Sequence, residues 1–309
     1  MVTRYARERR LQAAEGLPPQ LRLAVSQLPE QVQSQGEEIR LRAGRPMTIV
    51  TGEGELSTPK LVTGKDLEMT LENASQASAY AVLDQVRKGF VTIRGGHRLG
   101  LCGTGVVKNG EVTSLRQVSS LALRVAREVP GTAAGVLEEL LEEGRLQSTL
   151  ILSPPGRGKT TLLRDLIRCV SDGRGLAAQR VGVADERGEL AAVYGGSPQL
   201  DVGIHTDVVD HCPKAAAMLM LLRGMNPQVI AADEITAPED VEAMEMANGC
   251  GVILLSTAHA GGLTDLCRRP LYRRLVEQRI FQRIVSIEVR QGRRVYHVSR
   301  TEEAICCGC

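Results

Sequence analysis

The sequence is poor in aromatic residues: it has no tryptophan, two phenylalanines and five tyrosines among 309 residues. Aromatic rings are the platforms on which unpaired bases stack, so their scarcity argues against a protein that binds single-stranded nucleic acid. The formal net charge is only +2, and the chain therefore lacks the strong positive field of a nucleic-acid or membrane-surface binder. Its hydrophobic cores must be aliphatic.

Long apolar segments are also missing. No apolar run approaches the roughly 18 to 20 residues that span a lipid bilayer. The basic residues 1–10 are not followed by the apolar segment of a secretory signal peptide. Hydrophobic residues make up 43% and charged residues 24% of the chain, as in soluble globular proteins. We therefore expect a cytoplasmic protein with about two domains.

The chain has eight cysteines, most of them isolated in apolar surroundings. In a cytosolic chain, isolated cysteines such as Cys102, Cys169 and Cys250 are expected to be small buried side chains rather than disulfide partners. The exception is the C-terminal segment 306–309, whose three thiols are able to bind a metal or to crosslink chains. No second Cys/His pair stands at metal-ligand spacing, so we expect no zinc site there.

The strongest motif lies between residues 149 and 161. An apolar run at 149–152 is typical of a short buried strand, and a Pro/Gly turn then leads to Gly-Lys-Thr at the start of an amphipathic helix. This layout predicts a phosphate-binding loop, in which backbone N–H groups and the helix N-terminus hold phosphate. Lys159 is expected to span the β- and γ-phosphates, and the Thr160 hydroxyl to bind Mg²⁺. The predicted nucleotide-binding residues are Pro155, Gly156, Arg157, Gly158, Lys159, Thr160 and Thr161.

One position departs from the usual G-x-x-x-x-G-K-[ST] pattern, because Ser153 stands where the pattern has glycine. A positive φ at this position would cost more for serine than for glycine, since serine carries a β-carbon. The alternative is an accidental Gly-Lys-Thr turn. The strand before the turn and the helix after it favour the phosphate-binding loop.

Residues 1–130 are predicted to form an α+β domain. Apolar positions at helical spacing between residues 17 and 35 indicate an amphipathic helix that is interrupted or begun by Pro18, Pro19 and Pro29. A second helix is predicted over residues 66–88, with Val82 and Val86 on its buried face.

The rest of this part has the pattern of β-strands. Alternating polar and apolar residues at 38–43 and 47–50 indicate two strands around a turn, and residues 120–127 alternate again. A glycine-rich β region covers residues 90–107 and turns at Asn109-Gly110. We interpret its Gly-Gly and Gly-Thr-Gly sequences as turns and bulges, because no helix start follows them.

Residues 131–309 are predicted to form an α/β domain, after a linker at residues 130–132. Short apolar strands alternate with helices, which indicates a parallel sheet with helices on both faces. The predicted strands are 149–152, 179–184, 228–232 and 251–255, with closing strands within 281–290 and 295–298. The predicted helices are 136–146, one beginning at 161, 213–224 and 238–248. Polar residues follow the strands at their carboxyl ends, the edge at which open α/β sheets bind ligands.

The buried strand at 228–232 ends in two acids, Asp233 and Glu234. Such an acidic pair is costly unless it meets a cation, water or a hydrogen-bond donor. Beside a phosphate-binding loop we expect Asp233 to hold Mg²⁺ through water and Glu234 to polarise an attacking water. The alternative is that the acids cap the helix near Pro238.

Three further residues complete the predicted catalytic set. His259 follows a strand of the same sheet, where it would sense the γ-phosphate. Asp185 and Glu186 end another strand of that sheet. With Lys159 and Glu234 they are the predicted catalytic residues, whereas His97, His205, His211 and His297 are interpreted as structural.

Several motifs resemble the secretion and pilus-motor ATPases over roughly residues 149–265. They are "LRGMNPQVI" at 222–230, the Asp233-Glu234 pair, Glu239-Asp240, and "STAHA" at 256–260. The resemblance implies a RecA-like core that hydrolyses ATP with Mg²⁺. The Asn/Thr-Lys-x-Asp signature of guanine-specific GTPases is absent, which favours ATP as the nucleotide.

The whole chain resembles one family within that superfamily, the stage III sporulation AA proteins of endospore-forming bacteria. The resemblance is carried by "EIRLRAGRP", "GFVTIRGGHRLGLCGTG", "SSLALRVARE" and "VADERGEL". It implies a hexameric ATPase in the cytoplasm of the mother cell. Membrane proteins encoded in the same operon are the implied partners, and they would recruit it to a channel between mother cell and forespore.

The chain departs from the secretion-motor pattern at three places. Asp233-Glu234 stands where those motors have Gly-Glu, and Ile235-Thr236 replaces the arginine that shortly follows their glutamate. In their "Asp box", Ala184 replaces the acidic residue before the aspartate. The paired CxxC zinc motif of some type II secretion ATPases is absent as well.

Hydrolysis in such rings usually needs a cation from a neighbouring subunit. The candidates are Arg94, Arg98, Arg116, Arg124, Arg127 and Arg223. As a hypothesis, at least one of Arg98, Arg116 and Arg124 acts in trans; the alternative for each is an exposed strand face.

The sequence thus predicts a Mg²⁺-dependent ATPase that powers or gates an export channel at the cytoplasmic face of a membrane. Two alternatives stay open. One is a nucleotide-binding ring scaffold with little hydrolysis, and the other is a nucleic-acid-translocating ATPase.

Overall fold

The computed structural model describes residues 2–75, 89–290 and 293–302. The chain folds into two compact units. The first consists of Met1–Arg127 with Ala192–Gln199, and the second of Glu128–Ala191 with Leu200–Cys309.

In its described part, the first unit contains a six-stranded antiparallel sheet and four helices. The strands are Glu38–Arg42 (β1), Pro46–Thr51 (β2), Gly54–Leu61 (β3), Phe90–Ile93 (β4), His97–Lys108 (β5) and Glu111–Arg124 (β6). The helices are Val2–Ala14 (α1), Pro19–Ser26 (α2), Glu30–Gln35 (α3) and Gly64–Ser75 (α4). The strand order is β3-β2-β1-β6-β5-β4.

Proline and glycine set the boundaries of these elements. Helices α2 and α3 follow Pro18 and Pro29, because the fixed φ of proline and its missing N–H suit the start of a helix. The predicted interruption by prolines is therefore confirmed. The predicted turn at Asn109-Gly110 is also confirmed: both residues have positive φ, 53° and 83°, and they connect β5 to β6.

The glycine-rich segment contains a bulge, as predicted. The register of β5 against β6 shifts between Cys102 and Thr104. A β-carbon built at Gly103 would lie 2.8 Å from the carbonyl oxygen of Arg116, so only glycine allows this close approach of the two backbones.

The core of the first unit is aliphatic, as the composition requires. Helix α2 buries Leu21 and Val25 against the sheet, where Ile39 and Leu41 of β1 are fully buried. The predicted helix at 66–88 is present as α4 up to Ser75, and its remainder, with Val82 and Val86, lies outside the described residues.

The described part of the second unit contains a seven-stranded sheet in the order β11-β10-β12-β13-β9-β14-β15. Its strands are Thr149–Leu152 (β9), Val181–Asp185 (β10), Thr206–Asp210 (β11), Val229–Ala232 (β12), Ile253–Ala258 (β13), Arg283–Arg290 (β14) and Arg293–Arg300 (β15), and a small hairpin, Leu141–Glu142 (β7) and Arg145–Leu146 (β8), precedes them. The helices are Lys159–Asp172 (α5), Lys214–Gly224 (α6), Pro238–Gly249 (α7), Leu263–Cys267 (α8) and Pro270–Glu277 (α9).

All neighbouring strands of this sheet run parallel except β14 and β15, which form an antiparallel hairpin. Leu150 and Leu152 of β9 pack into one cluster with α6, α7 and α9, whereas the buried leucines of α5 lie outside that cluster. Because side chains alternate between the faces of a strand, α5 covers the opposite face. The predicted α/β fold with helices on both faces is confirmed.

The predicted helix at 136–146 is wrong. Residues Thr132–Gly135 and Glu138–Leu140 form short 3₁₀ turns, and the β7–β8 hairpin follows. The apolar spacing of this segment also suits such turns, and Glu143 and Gly144, with φ of 49° and 74°, reverse the chain where a helix would continue. The carboxylate of Asp165 in α5 accepts the N–H of Ala133 at 2.7 Å and holds the first turn in place.

The cysteine expectation holds in part. Cys169 is buried in α5, but Cys102 and Cys250 are exposed. Cys102 lies on the outward side of β5, and Cys250 is the residue that follows α7. The apolar residues around them in the sequence therefore do not make these two cysteines buried. Residues 306–309 lie outside the described part of the chain.

Across the described residues, no helix combines the length and apolarity needed to cross a lipid bilayer.

Candidate functional site

The loop between β9 and α5 has the backbone of a phosphate-binding loop. Gly156 and Gly158 have positive φ, 74° and 98°, which glycine adopts without strain. Ser153 is buried and lies outside the positive-φ region, so the cost predicted for serine at this position does not arise. Its hydroxyl donates to the carbonyl oxygen of Pro154 at 2.9 Å.

The predicted nucleotide-binding residues lie along this loop and the first turn of α5. Pro155, Gly156 and Arg157 are exposed, and Thr160 and Thr161 are half-buried. The start of α5 leaves backbone N–H groups without partners inside the helix. The loop therefore presents donors on a surface that a ligand can reach.

Lys159 is the first residue of α5 and is buried. Its Nζ donates to the carbonyl oxygens of Ser153 at 2.9 Å and Pro154 at 3.2 Å. Burial lowers the pKa of Lys159, and the carboxylates of Asp233 and Glu234 oppose that shift.

Asp233, directly after β12, is held by two hydroxyl groups. Thr160 donates to Oδ2 at 2.6 Å, and Thr257 of β13 donates to Oδ1 at 2.5 Å. The parallel pairing of β12 with β13 brings Asp233 beside Thr257. Thr160 of α5 and Asp233 at the end of β12 are therefore in contact at the carboxyl edge of the sheet, where the sequence analysis expected both residues.

His259 connects Lys159 to Glu234. Its Nδ1 lies 2.8 Å from Nζ of Lys159, and its Nε2 lies 2.9 Å from Oε1 of Glu234. A charged ammonium group can only donate, so Nδ1 accepts and Nε2 carries the ring proton toward the carboxylate. Oε2 of Glu234 accepts from Nη1 of Arg187 at 2.8 Å.

The backbone of Glu234 is strained and firmly held. Its φ is 51°, a conformation that residues other than glycine rarely adopt. Its N–H donates to Oγ1 of Thr257 at 2.8 Å, and its carbonyl oxygen accepts from Nζ of Lys214 at 2.6 Å. These bonds fix the position of the glutamate carboxylate at the sheet edge.

Lys214, at the start of α6, is a buried cation among carboxylates. Its Nζ lies 3.2 Å from Oε2 of Glu186 and 3.4 Å from Oδ2 of Asp240. Asp240 also accepts the N–H groups of Thr236 and Ala237, so it caps α7. The capping role that was the alternative for Asp233 and Glu234 thus belongs to Asp240.

Asp185 ends β10, and its carboxylate faces the loop that follows. Its two oxygens accept the N–H groups of Glu189, Leu190 and Ala191 at 2.8 to 3.1 Å. From the other side, Nε of the buried Arg164 donates to the carbonyl oxygen of Leu190 at 2.7 Å. This clamped loop carries Arg187.

The arginines considered for a role in trans have different surroundings. Arg98 stacks 3.4 Å above the ring of Phe90, and Nε of Arg124 lies 3.4 Å from Oε2 of Glu38. Arg116 is exposed on β6, and Arg127 donates to the carbonyl oxygen of Gly36.

The donor set fits a nucleotide with Mg²⁺. Within the described ranges, no group of three or more His, Cys, Asp and Glu side chains is arranged to enclose a metal ion. Mg²⁺ is commonly bound by one or two protein oxygens together with phosphates and water, and Thr160 with Asp233 offers such oxygens beside the loop.

Three residues of this site were missed by the sequence analysis. Arg187 and Thr257 stand inside the quoted segments "VADERGEL" and "STAHA", but nothing in their spacing pointed to Glu234 or Asp233. Lys214 had no signal, because its contacts join α6 to the loop before α7.

The family described as "Sporulation stage III, protein AA" matches residues 8–299 of the chain. The chain belongs to this family. The stage III sporulation protein AA of Bacillus subtilis (strain 168) is 39% identical over 280 residues, which are 90% of this chain and 91% of that protein. The expected relation to the stage III sporulation AA family is confirmed.

Two solved structures share the fold. The ATPase DotB of Legionella pneumophila has a TM-score of 0.57 at 15% identity, covering 87% of this chain and 77% of that chain. The pilus retraction motor PilT with bound ADP has a TM-score of 0.56 at 20% identity, covering 86% and 79%. The family member described here therefore has the fold of the secretion-motor ATPases.

Proposed function

We propose that the chain binds ATP with Mg²⁺ at the carboxyl edge of the second unit's sheet and hydrolyses it. The observation that carries the proposal is the meeting of five side chains from three segments at one place. They are Lys159 and Thr160 of α5, Asp233 and Glu234 after β12, and His259 after β13.

Each side chain has a distinct role in this proposal. Lys159 exchanges its carbonyl partners for phosphate oxygens, and the N–H groups of the loop bind the phosphates. Thr160 and Asp233 hold Mg²⁺. Bound Mg²⁺ supplies positive charge that offsets the charge of the β- and γ-phosphates.

Glu234 accepts a hydrogen bond from the attacking water and orients it. His259 lies within hydrogen-bonding distance of both Lys159 and Glu234. When Lys159 turns to the γ-phosphate, His259 transmits the change to the carboxylate of Glu234. The ion pair with Arg187 keeps Glu234 at the sheet edge.

Asp185 and Glu186 are assigned positioning roles. Three backbone N–H groups occupy the carboxylate of Asp185, which supports a role in shaping the loop that carries Arg187. Glu186 pairs with Lys214, the lysine that holds the carbonyl oxygen of Glu234.

The assembly and its partners are part of the same proposal. The second unit, Glu128–Ala191 with Leu200–Cys309, forms the ATPase domain of a homo-hexamer, and the first unit forms its N-terminal domain. The ring acts in the mother cell, is recruited to the membrane by channel proteins, and powers or gates export through them. Fold likeness to DotB and PilT and membership of a sporulation family support this assignment.

The trans-acting arginine is tested by subunit mixing. Arg98→Ala, Arg116→Ala or Arg124→Ala subunits are mixed with Glu234→Gln subunits, so that an intact arginine and an intact glutamate meet only between neighbours. Restored ATP turnover supports action in trans. Unchanged turnover of all three arginine variants removes the hypothesis.

The function itself is tested with Glu234→Gln. This variant keeps the shape of the side chain but not its charge, so nucleotide binding should persist while ATP turnover falls about 100-fold or more. Glu245→Gln, on α7, is the matched control. If Glu234→Gln still supports sporulation, the chain acts as a nucleotide-binding scaffold; stimulation of turnover by DNA or RNA would instead indicate a translocase.

A further inference from the structure

The guanidinium of Arg294 lies against the phosphate-binding loop. A β-carbon built at Gly158 would lie 2.8 Å from Nε and 2.9 Å from Cζ of Arg294. The guanidinium therefore lies close to the backbone of the glycine before Lys159, and the positive φ of that glycine, 98°, is the reason that glycine is needed there. This contact joins the last strand of the sheet to the start of α5.

Strand pairing explains how Arg294 reaches the loop. β14 runs parallel to β9, and their last paired residues are Ser286 and Leu152. Arg294 lies opposite Val289 in the β14–β15 hairpin, three residues beyond that pair. The hairpin thus extends past the carboxyl edge of the sheet and carries Arg294 beside the loop that follows β9.

The charge of Arg294 is available to a ligand. Three other arginines of the hairpin lie within 3.4 Å of a glutamate carboxylate; they are Arg283, Arg290 and Arg300. Arg294 is exposed, and among the side chains that the structure describes no carboxylate lies within ion-pair distance of it. A guanidinium with free N–H groups beside a phosphate-binding loop is suited to bind phosphate oxygens.

The order of the strands indicates which phosphates it meets. In the sequence β12-β13-β9-β14-β15, Glu234 and His259 follow the strands on one side of β9, and Arg294 lies on the other side. Lys159 contacts His259, so the γ-phosphate end of a nucleotide belongs on the β13 side. The remainder of the phosphate chain extends toward β14 and β15.

We propose that Arg294 binds the α- and β-phosphate oxygens of the nucleotide, within the same subunit. This assignment rests on the proposed ATP site and adds a second cation to it. Arg294 holds the part that ATP and ADP share, whereas Lys159 and His259 respond to the γ-phosphate. The residue therefore sets the affinity for both nucleotides without discriminating between them.

The test is equilibrium binding of ATP and ADP, each with Mg²⁺, to the full chain and three variants. In Arg294→Ala both dissociation constants should rise about tenfold, which corresponds to the loss of one charge-assisted hydrogen bond, and their ratio should stay unchanged. Arg294→Lys should recover part of the affinity. The matched control is Arg293→Ala, the exposed neighbour on the same strand, which should bind as the unaltered chain does.

Two results would overturn the assignment while leaving the ATP site intact. One is an Arg294→Ala variant that binds both nucleotides with unaltered affinity. The other is a loss of ATP affinity alone, which would place Arg294 at the γ-phosphate. If the unaltered chain binds neither nucleotide, the ATP site itself is refuted, and the assignment of Arg294 falls with it. Thermal unfolding without nucleotide checks that all variants are folded.

Discussion

Nδ1 of His259 lies 2.8 Å from Nζ of Lys159. This contact joins the end of β13, which His259 follows, to the lysine of the loop between β9 and α5. Nε2 of the same ring lies 2.9 Å from Oε1 of Glu234. One imidazole therefore couples the lysine that is expected to bind ATP to the glutamate that is expected to activate water. Binding of a γ-phosphate competes for the same lysine.

The first prediction concerns this imidazole. His259→Ala removes both hydrogen bonds at once, so Glu234 loses one of its two side-chain partners and Lys159 loses its link to the glutamate. We expect ATP turnover to fall about 100-fold, with a much smaller change in ADP affinity. Steady-state turnover and ADP titration measure the two effects separately.

The matched control is His297→Ala, which removes an exposed histidine from β15. That variant should hydrolyse ATP at the unaltered rate. A His259→Ala protein with normal turnover would show that the histidine is only a structural partner of Lys159.

The second prediction concerns Lys214. Lys214→Met leaves the buried carboxylate of Asp240 without its cation and releases the carbonyl oxygen of Glu234. Breaking a buried ion pair from one side commonly costs about 3 kcal/mol, so the free energy of unfolding of the second unit should fall by that order. ATP turnover should fall more than nucleotide affinity, because the glutamate is displaced and the loop around Lys159 is not.

Denaturant unfolding and turnover of Lys214→Met are compared with those of Lys65→Met, which alters an exposed lysine of α4. The control should match the unaltered chain in both measurements. Equal stability of Lys214→Met and the control would contradict the ion-pair network.

The third prediction concerns pH and His97. The imidazole is fully buried; its Nδ1 accepts the N–H of Ala126 at 3.0 Å, and its Nε2 has no partner among the described residues. Burial, with a smaller contribution from the Arg9 guanidinium, lowers the pKa of His97 to about 3. The folded first unit therefore keeps this ring neutral at pH values where the unfolded chain protonates it.

This difference in pKa between the folded and the unfolded chain sets the direction in which the free energy of unfolding changes with pH. Above the unfolded pKa of about 6.5 the ring is neutral in both states and has no effect. As the pH falls from about 6.5 toward 3, only the unfolded chain gains the proton, so the free energy of unfolding decreases by up to about 1.4 kcal/mol per pH unit. His97→Gln should flatten this part of the stability curve, and His297→Gln should not. Parallel curves for His97→Gln and the unaltered chain would exclude the mechanism.

Much of the second unit could be predicted because its signals are local. The strands that end at Leu152, Asp185 and Ala232 are short apolar runs, and a run that ends in polar residues marks the carboxyl edge of a parallel sheet. Because parallel strands share that edge, Thr160, Asp233 and His259 could be placed together without a structure.

Elements that depend on distant contacts were missed. Helix α1 is rich in charge and has little amphipathic pattern, and it is held by contacts such as that of Arg10 with the carbonyl oxygen of Val32 at 2.6 Å. The edge strand β11 consists of half-buried residues and pairs only with β10 in the described chain. Neither element has a strong apolar period, which is the signal that sequence analysis uses.

Side-chain partners were the least predictable part of the site. Asp185 was expected at the reacting centre, but its place at the end of β10 equally allows it to face the following loop, and three N–H groups bind it there. Arg187 reaches Glu234 from the turn after β10, and Arg294 reaches Gly158 from the β14–β15 hairpin. The direction in which each of these side chains points depends on the backbone geometry of the turn or hairpin, which residue spacing along the chain does not reveal.

The most direct test of the account is the binding and turnover of ATP by Lys159→Ala beside Lys60→Ala, an alteration in β3 of the first unit. The buried amine of Lys159 bonds to a carbonyl oxygen of the loop and to His259, which connects it to Glu234. We expect Mg²⁺-dependent ATP binding and turnover in the unaltered chain and in Lys60→Ala, with turnover lost in Lys159→Ala. Equal turnover in both variants, or no binding of ATP by the unaltered chain, would contradict the account.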